Sequence, residues 1–156
     1  MKQLLTVLAA TTLLAACQQA PEPHARASAG APAVPPAPKA IAPAATIDAY
    51  KLQVAQQIMD ANTQFTFSGR LPSMLPAIVV LDLSVGRDGT LKSVRVHRSR
   101  DSDASSVALA AVRRVPGAFP PAAQLMRSRD KTLDFSETFL FNDQYRFQLR
   151  TLSGPQ

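Results

Sequence analysis

IVVLDLSVGRDGTLKSVRVHR, residues 78–98, reads as two strands folded about a turn. From Ile78 to Val85, the apolar Val79, Leu81, Leu83 and Val85 alternate with Ile78, Val80, Asp82 and Ser84. A period of two sends one set of side chains to each face of a strand. Gly86-Arg87-Asp88-Gly89 is a turn signal, and Asp88-Gly89 is the pair expected to supply the positive φ angles that a tight hairpin needs. Alternation resumes from Leu91 to Arg98, with Val94 and Val96 expected to point inward. The segment predicts an antiparallel hairpin with one buried face.

Upstream, Tyr50, Val54, Ala55, Ile58 and Met59 form an apolar stripe at helical spacing. They predict a helix from about Asp48 to Asn62, with Asp48 as its N-cap. Gly69, Pro72 and Pro76 mark a loop before the hairpin. Downstream, Ser102 or Asp103 opens a second helix, in which Val107, Ala108, Ala111, Val112 and Val115 share a side and which Pro116-Gly117 ends. After Phe119-Pro120-Pro121, a third strand is expected from Leu133 to Phe141, with Phe135, Phe139 and Phe141 on one face and Glu137 between them. Asn142 and Asp143 supply turn chemistry, and Tyr145, Phe147 and Leu149 alternate again through about Leu152. Aromatics on matching faces favour a shared core over a ligand box. The expected architecture is α+β: an antiparallel sheet of three to four strands packed by two helices.

The start of the chain has a different character. Lys2 is followed by an apolar run from Leu4 to Leu14, interrupted by Thr6, Thr11 and Thr12, and then by Leu14-Ala15-Ala16-Cys17. A basic start, a short apolar core and small residues at the end have the order of a secretory signal peptide. The run is too short to cross a bilayer as a helix, which takes roughly 20 residues. The last four residues resemble a bacterial lipobox. That resemblance implies a thioether link from the Cys17 thiol to diacylglycerol and cleavage before Cys17, with palmitate among the lipid chains, so residues 1–16 are expected to be signal peptide. Gln18 is not the aspartate that holds such lipoproteins at the inner membrane, and the resemblance therefore implies an outer-membrane anchor facing the periplasm.

Residues 17–46 carry the lipidated cysteine and an Ala/Pro-rich tether, as in Pro32-Ala33-Val34-Pro35-Pro36-Ala37-Pro38. Extended as polyproline II, such a tether reaches about 90 Å. The remaining residues, 47–156, are enough for one domain. Of the 156 residues, 46% are apolar and 18% charged, so the chain has the means to bury a core. Cys17 is the only cysteine, so packing without an intramolecular disulfide must hold that core. The formal charge is +6, which favours anionic partners. For an exported chain, those are lipid headgroups or acidic protein faces rather than nucleic acid. Simple solvation is the expected state of most of Arg95, Arg98, Arg100, Arg113, Arg114, Arg127 and Arg129.

Catalytic and metal patterns are weak. The histidines are His24, in the tether, and His97, in a strand, and neither has a cysteine or acidic residue at ligand spacing in the sequence. Asp101-Ser102-Asp103 begins like a calcium loop but lacks the glycine at the sixth position, and Val112 stands where the bidentate glutamate belongs. Helix capping explains it better. Ser105 and Ser106 lack the small-residue elbow of a hydrolase nucleophile. The expectation is a protein without catalytic residues, cofactor or metal.

From the first helix through the third strand, the chain resembles the C-terminal domains of the TonB and TolA proteins of Gram-negative envelopes. The likeness rests on Val79 to Val85 leading into Arg87-Asp88-Gly89-Thr90-Leu91, Val94-Arg95-Val96 ending at Ser99, Ala108-Leu109-Ala110-Ala111-Val112-Arg113-Arg114, and Phe119-Pro120-Pro121. It covers roughly residues 75–142, and the leading helix with Tyr50 is closer to TolA. The resemblance implies a periplasmic protein-interaction module, with Arg113, Arg114, Phe139, Phe141, Tyr145 and Phe147 as candidate partner-binding residues. Two departures bear on activity. The family is held by a transmembrane helix coupled to an energised inner-membrane complex, and here a lipid on Cys17 is expected to take its place. In TonB the last strand is an edge open to strand addition, and the segment Tyr145 to Leu152 is expected to occupy that edge. The leading expectation is a non-catalytic, membrane-anchored module binding an envelope protein. Its alternatives are a structural lipoprotein contacting peptidoglycan through its arginines and an accessory of TonB-dependent transport. A homodimer formed by strand exchange stays open.

Overall fold

A computed structural model describes residues 42–154. The expected signal peptide, the acylation site Cys17, His24 and most of the tether lie outside the described residues.

Two helices pack on one face of a four-stranded antiparallel sheet with the order β2-β1-β3-β4. Helix α1 spans Ile47–Asp60 and α2 spans Ser102–Arg113. The strands are β1 Ala77–Gly86, β2 Leu91–Arg98, β3 Thr132–Phe141 and β4 Phe147–Leu149. This is the α+β arrangement that the hydrophobic periodicities predict.

Helix α1 is capped two residues earlier than expected. Thr46, not Asp48, is the N-cap: its hydroxyl accepts the Ala49 amide at 3.2 Å. Asp48 sits inside the first turn, where its charge complements the helix N-terminus. Tyr50, Val54, Ala55 and Ile58 are buried as the stripe requires. In α2 the cap is Asp101, whose carboxylate accepts the Ala104 amide at 2.8 Å. Ala104, Ala108, Ala111 and Val112 form its buried face, small side chains that bring the helix close to the sheet. Val107 and Val115 are only partly buried.

The two helix ends meet at Asn62, which is 1% exposed. Its Nδ2 donates to the Ile58 carbonyl at 2.8 Å and to the Ala111 carbonyl at 3.0 Å. Its Oδ1 accepts from Arg114 Nη1 at 3.0 Å. One amide thus satisfies carbonyls in the last turns of both helices, which otherwise lack partners.

The β1–β2 turn uses one positive φ, not two. Gly89 has φ 85°, and Asp88 stays out of the left-handed region. The Gly89 amide donates to the Gly86 carbonyl, the Gly86 amide donates to the Thr90 carbonyl, and a register shift follows between Ser84 and Val85. This is a turn closed by a bulge rather than the two-residue hairpin. The Asp88 carboxylate accepts the Thr90 hydroxyl at 2.6 Å and the Thr90 amide at 3.0 Å, and these bonds hold its pKa below the usual carboxylate range. Residues 119–122 then pack onto the turn, with the Phe119 amide donating to the Gly89 carbonyl and the Ala122 amide to the Arg87 carbonyl.

The core lies between sheet and helices. Val79, Leu81, Leu83 and Val85 of β1, Phe139 and Phe141 of β3, and Phe147 and Leu149 of β4 are fully buried there. Tyr50 meets Phe135 edge to face, with ring centroids 5.8 Å apart, and donates its hydroxyl to the Pro120 carbonyl at 2.9 Å. Burial pushes the Tyr50 phenol up to about 12. On edge strand β2, Val94 is half-buried and Val96 is exposed, so the inward position expected for Val96 is only partly covered.

Strand β4 is shorter than the alternation suggests. Pairing stops at Leu149 opposite Phe139, and Arg150–Leu152 turns into a 3₁₀ helix. The cause lies in Glu137, which is buried on the core face. Its Oε1 accepts the Thr138 amide at 3.0 Å and its Oε2 accepts the Thr151 hydroxyl at 2.6 Å. The carboxylate therefore satisfies a β3 amide that a longer β4 would have bonded. Beyond β4, Thr66 forms a parallel bridge with Phe147, and the Phe67 amide donates to the Phe147 carbonyl.

Candidate functional site

Even-numbered residues of β3 direct their amides and carbonyls toward β4, as the Asn142 amide bonding the Arg146 carbonyl shows. β1 runs along the whole of β3 on the other side, from Thr132 to Phe141. β4 covers only Phe139–Phe141. The fourth strand thus leaves most of the edge it was expected to occupy. Glu137 closes the position of Thr138, and the outward backbone groups of Asp134 and Ser136 have no strand beside them among the described residues. Both residues are exposed. The result is a short extended edge, ordered on one side by β1 and open on the other.

The sheet face away from the helices carries a polar node. Asp82 Oδ1 accepts the Ser136 hydroxyl at 2.8 Å, while Oδ2 lies 3.3 Å from Arg95 Nη2 and 3.1 Å from His97 Nδ1. The Ser136 bond, then His97 and Arg95, hold the Asp82 carboxyl below its ordinary pKa. His97 therefore has an acidic neighbour after all, supplied across the strands rather than along the sequence. The carboxylate stands between hydroxyl and imidazole, so Ser136 donates to Asp82 and not to a base that would activate it. The node aligns β2, β1 and β3 across the sheet.

The candidate partner-binding residues separate into different environments. Phe139, Phe141 and Phe147 are fully buried and stack among themselves, Phe139 and Phe147 with centroids 5.0 Å apart. They belong to the core and present nothing to a partner, which corrects their assignment to a binding surface. Arg114 donates to Asn62 and its guanidinium lies 4.3 Å from the Phe65 ring centroid, while the residue as a whole remains exposed. Arg113 stays exposed in the last turn of α2. Tyr145 is 43% exposed at φ 54°, in the β3–β4 turn, and donates its hydroxyl to Asp101 Oδ2 at 2.9 Å. This bond raises the Tyr145 pKa, and together with the stronger bond from the Ala104 amide it lowers that of Asp101.

Where β2 ends, a groove of about 570 Å³ opens, lined by Leu75, Pro76, Ile78, Val80, Arg98 and Arg100 among others. Ile78 is 49% exposed at its floor. Sequence reading missed this feature because the loop residues and the strand ends come together only in three dimensions. Among the described residues, no group of three or more His, Cys, Asp or Glu side chains is arranged to hold a metal ion, and no helix is long and apolar enough to cross a membrane. A scan against protein-family models, a search of curated proteins and a search of solved structures each find no match to this chain.

Proposed function

We propose that the chain is a non-catalytic interaction module of the cell envelope, related to the C-terminal domains of TonB and TolA and held at the outer membrane through lipid on Cys17, facing the periplasm. The observation that carries this reading is the outer edge of β3 at Asp134 and Ser136. An extended segment of an envelope protein would add there as a strand, its main chain supplying the hydrogen bonds. Natural sheets normally pair, cover or charge such edges. Here the covering strand stops short, and a lipid anchor with a proline-rich tether would hold the edge within reach of membrane-bound partners.

Asp134→Pro tests the reading. Its amide points outward, so proline removes the donor needed by an incoming strand while the pairing with β1 keeps its bonds. A photo-crosslinker at Ser136 in intact cells should capture an envelope protein. That product should fall at least fivefold with Asp134→Pro, while the far-ultraviolet circular dichroism stays unchanged. A folded protein that yields no cross-linked partner would overturn the proposal.

A further inference from the structure

The groove at the end of β2 has the makings of a second recognition site, separate from the β3 edge. Its floor is apolar, made by Ile78 and Val80 of β1 with Leu75 and Pro76 beside them, and Arg98 and Arg100 stand at the rim. Both arginines are exposed. Neither guanidinium has an ion pair or hydrogen bond among the described residues, whereas Arg95 is held by Asp82 and Arg114 by Asn62. The volume of about 570 Å³ lies within the usual range for ligand sites.

The strand pairing adds a third element. β2 ends at Arg98 opposite Val80, so β1 has no strand neighbour at Ile78 on that side. Even-numbered residues of β1 direct their backbone groups toward β2, and those of Ile78 therefore face the groove without a partner among the described residues. An apolar floor, two free guanidiniums and an open amide–carbonyl pair complement a main chain, an apolar side chain and a carboxylate together. The geometry points to an acidic–apolar peptide stretch of a protein partner as the occupant, its carboxylate paired with Arg98 and Arg100 and its apolar side chain against Ile78.

Anionic lipid fits the groove less well. A lipid would leave the open backbone pair unused, whereas a peptide main chain engages it; Asp101 in the wall is already bonded by the Ala104 amide and the Tyr145 hydroxyl. This inference rests on the reading of the domain as a protein-interaction module and specifies one partner chemistry for it.

The test is a titration of the ¹⁵N-labelled full-length chain with N-acetyl-Leu-Glu-Leu-amide, followed by amide shifts. Saturable changes should cluster at 77–80 and 98–101. The peptide with Gln in place of Glu should bind about fivefold to tenfold more weakly, as should the original peptide to the Arg98→Ala/Arg100→Ala variant, whereas Arg129→Ala, exposed and outside the groove, should bind normally. No saturable shift, equal binding of the Gln peptide, or tighter binding of dihexanoyl phosphatidylglycerol at the same amides would overturn the assignment. If the peptide fails while a cross-link at Ser136 persists, the groove is refuted and the β3 edge survives.

Discussion

Gly89→Ala should be among the most damaging single-methyl additions to this domain, and Gly117→Ala supplies its control. Both glycines have positive φ, 85° and 76°. An L-residue in the left-handed region costs roughly 1–2 kcal/mol, so backbone strain alone predicts similar losses at both sites. Their surroundings differ. A Cβ on Gly117 meets nothing within 4 Å, but one on Gly89 would stand 1.9 Å from the Phe119 carbonyl oxygen and 2.8 Å from its carbon. These are backbone atoms with no rotamer to escape into, so residues 119–122 must lift away. Lifting them breaks the Phe119–Gly89 amide bond and the Ala122–Arg87 bond and disturbs the Tyr50–Pro120 bond. At about 1 kcal/mol for each net hydrogen bond, the added loss is about 2–3 kcal/mol, and Gly89→Ala should cost about 3–5 kcal/mol in all. Urea unfolding followed by tyrosine fluorescence should place the Gly89→Ala midpoint well below that of Gly117→Ala, with similar slopes. Equal midpoints would refute the argument, because the turn would then be free to shift without the segment packed upon it.

Other expectations follow from single contacts. Asn62→Ala should cost about 2–4 kcal/mol, since it leaves two helix carbonyls and the Arg114 guanidinium without their buried partner; a loss under 0.5 kcal/mol in chemical denaturation would contradict that role. Tyr50 is protonated in the folded protein up to about pH 12 but only to its ordinary 10 when unfolded. The folded state therefore holds the proton more tightly, and this contribution, at most about 2–3 kcal/mol, is intact below pH 10 and lost as pH rises from 10 to 12. Tyr50→Phe should flatten that alkaline decline, and an unchanged pH profile would reject the assignment. Cys17→Ser should move the folded domain from the membrane pellet to the soluble fraction, because stable anchoring of this kind needs acyl chains; persistence in the pellet would rule out the lipid.

Most of the scaffold is legible in local periodicity. The hairpin of β1 and β2, both helices and the long third strand announce themselves through apolar residues at spacings of two or 3.6. The errors occur where one group competes with another. Thr46 and Asp48 are both good caps two residues apart, and the choice depends on where Tyr50 must enter the core. β4 stops at Leu149 because the Glu137 side chain meets a β3 amide first, which no periodicity of the last strand can reveal. Thr66 reaches the sheet although the nearby glycine and prolines read as loop. Three of the candidate binding residues fared worse for a related reason: burial of Phe139, Phe141 and Phe147 depends on partners far away in sequence. The open edge and the groove are properties of pairing: residues 134, 136 and 78 are left with a strand on one side only, which shows once the strands are assembled.

Pairing between β1 and β3 also sets the order in which the chain can mature. Gly86 meets Thr132 and Ala77 meets Phe141, so the central ladder joins residues separated by 46 to 64 positions, across an intervening strand and helix. A chain emerging from its N-terminus makes the β1–β2 hairpin early but cannot complete the middle of the sheet until β3 has arrived. Until then one flank of β1, with Val79, Leu81 and Leu83 behind it, stays unsatisfied. Long-range closure of this kind is slow compared with forming a hairpin or a helix. The domain's vulnerable interval is therefore its own synthesis and delivery, when a passing holdase or a neighbouring unfinished chain competes with Thr132–Phe141 for the same backbone groups.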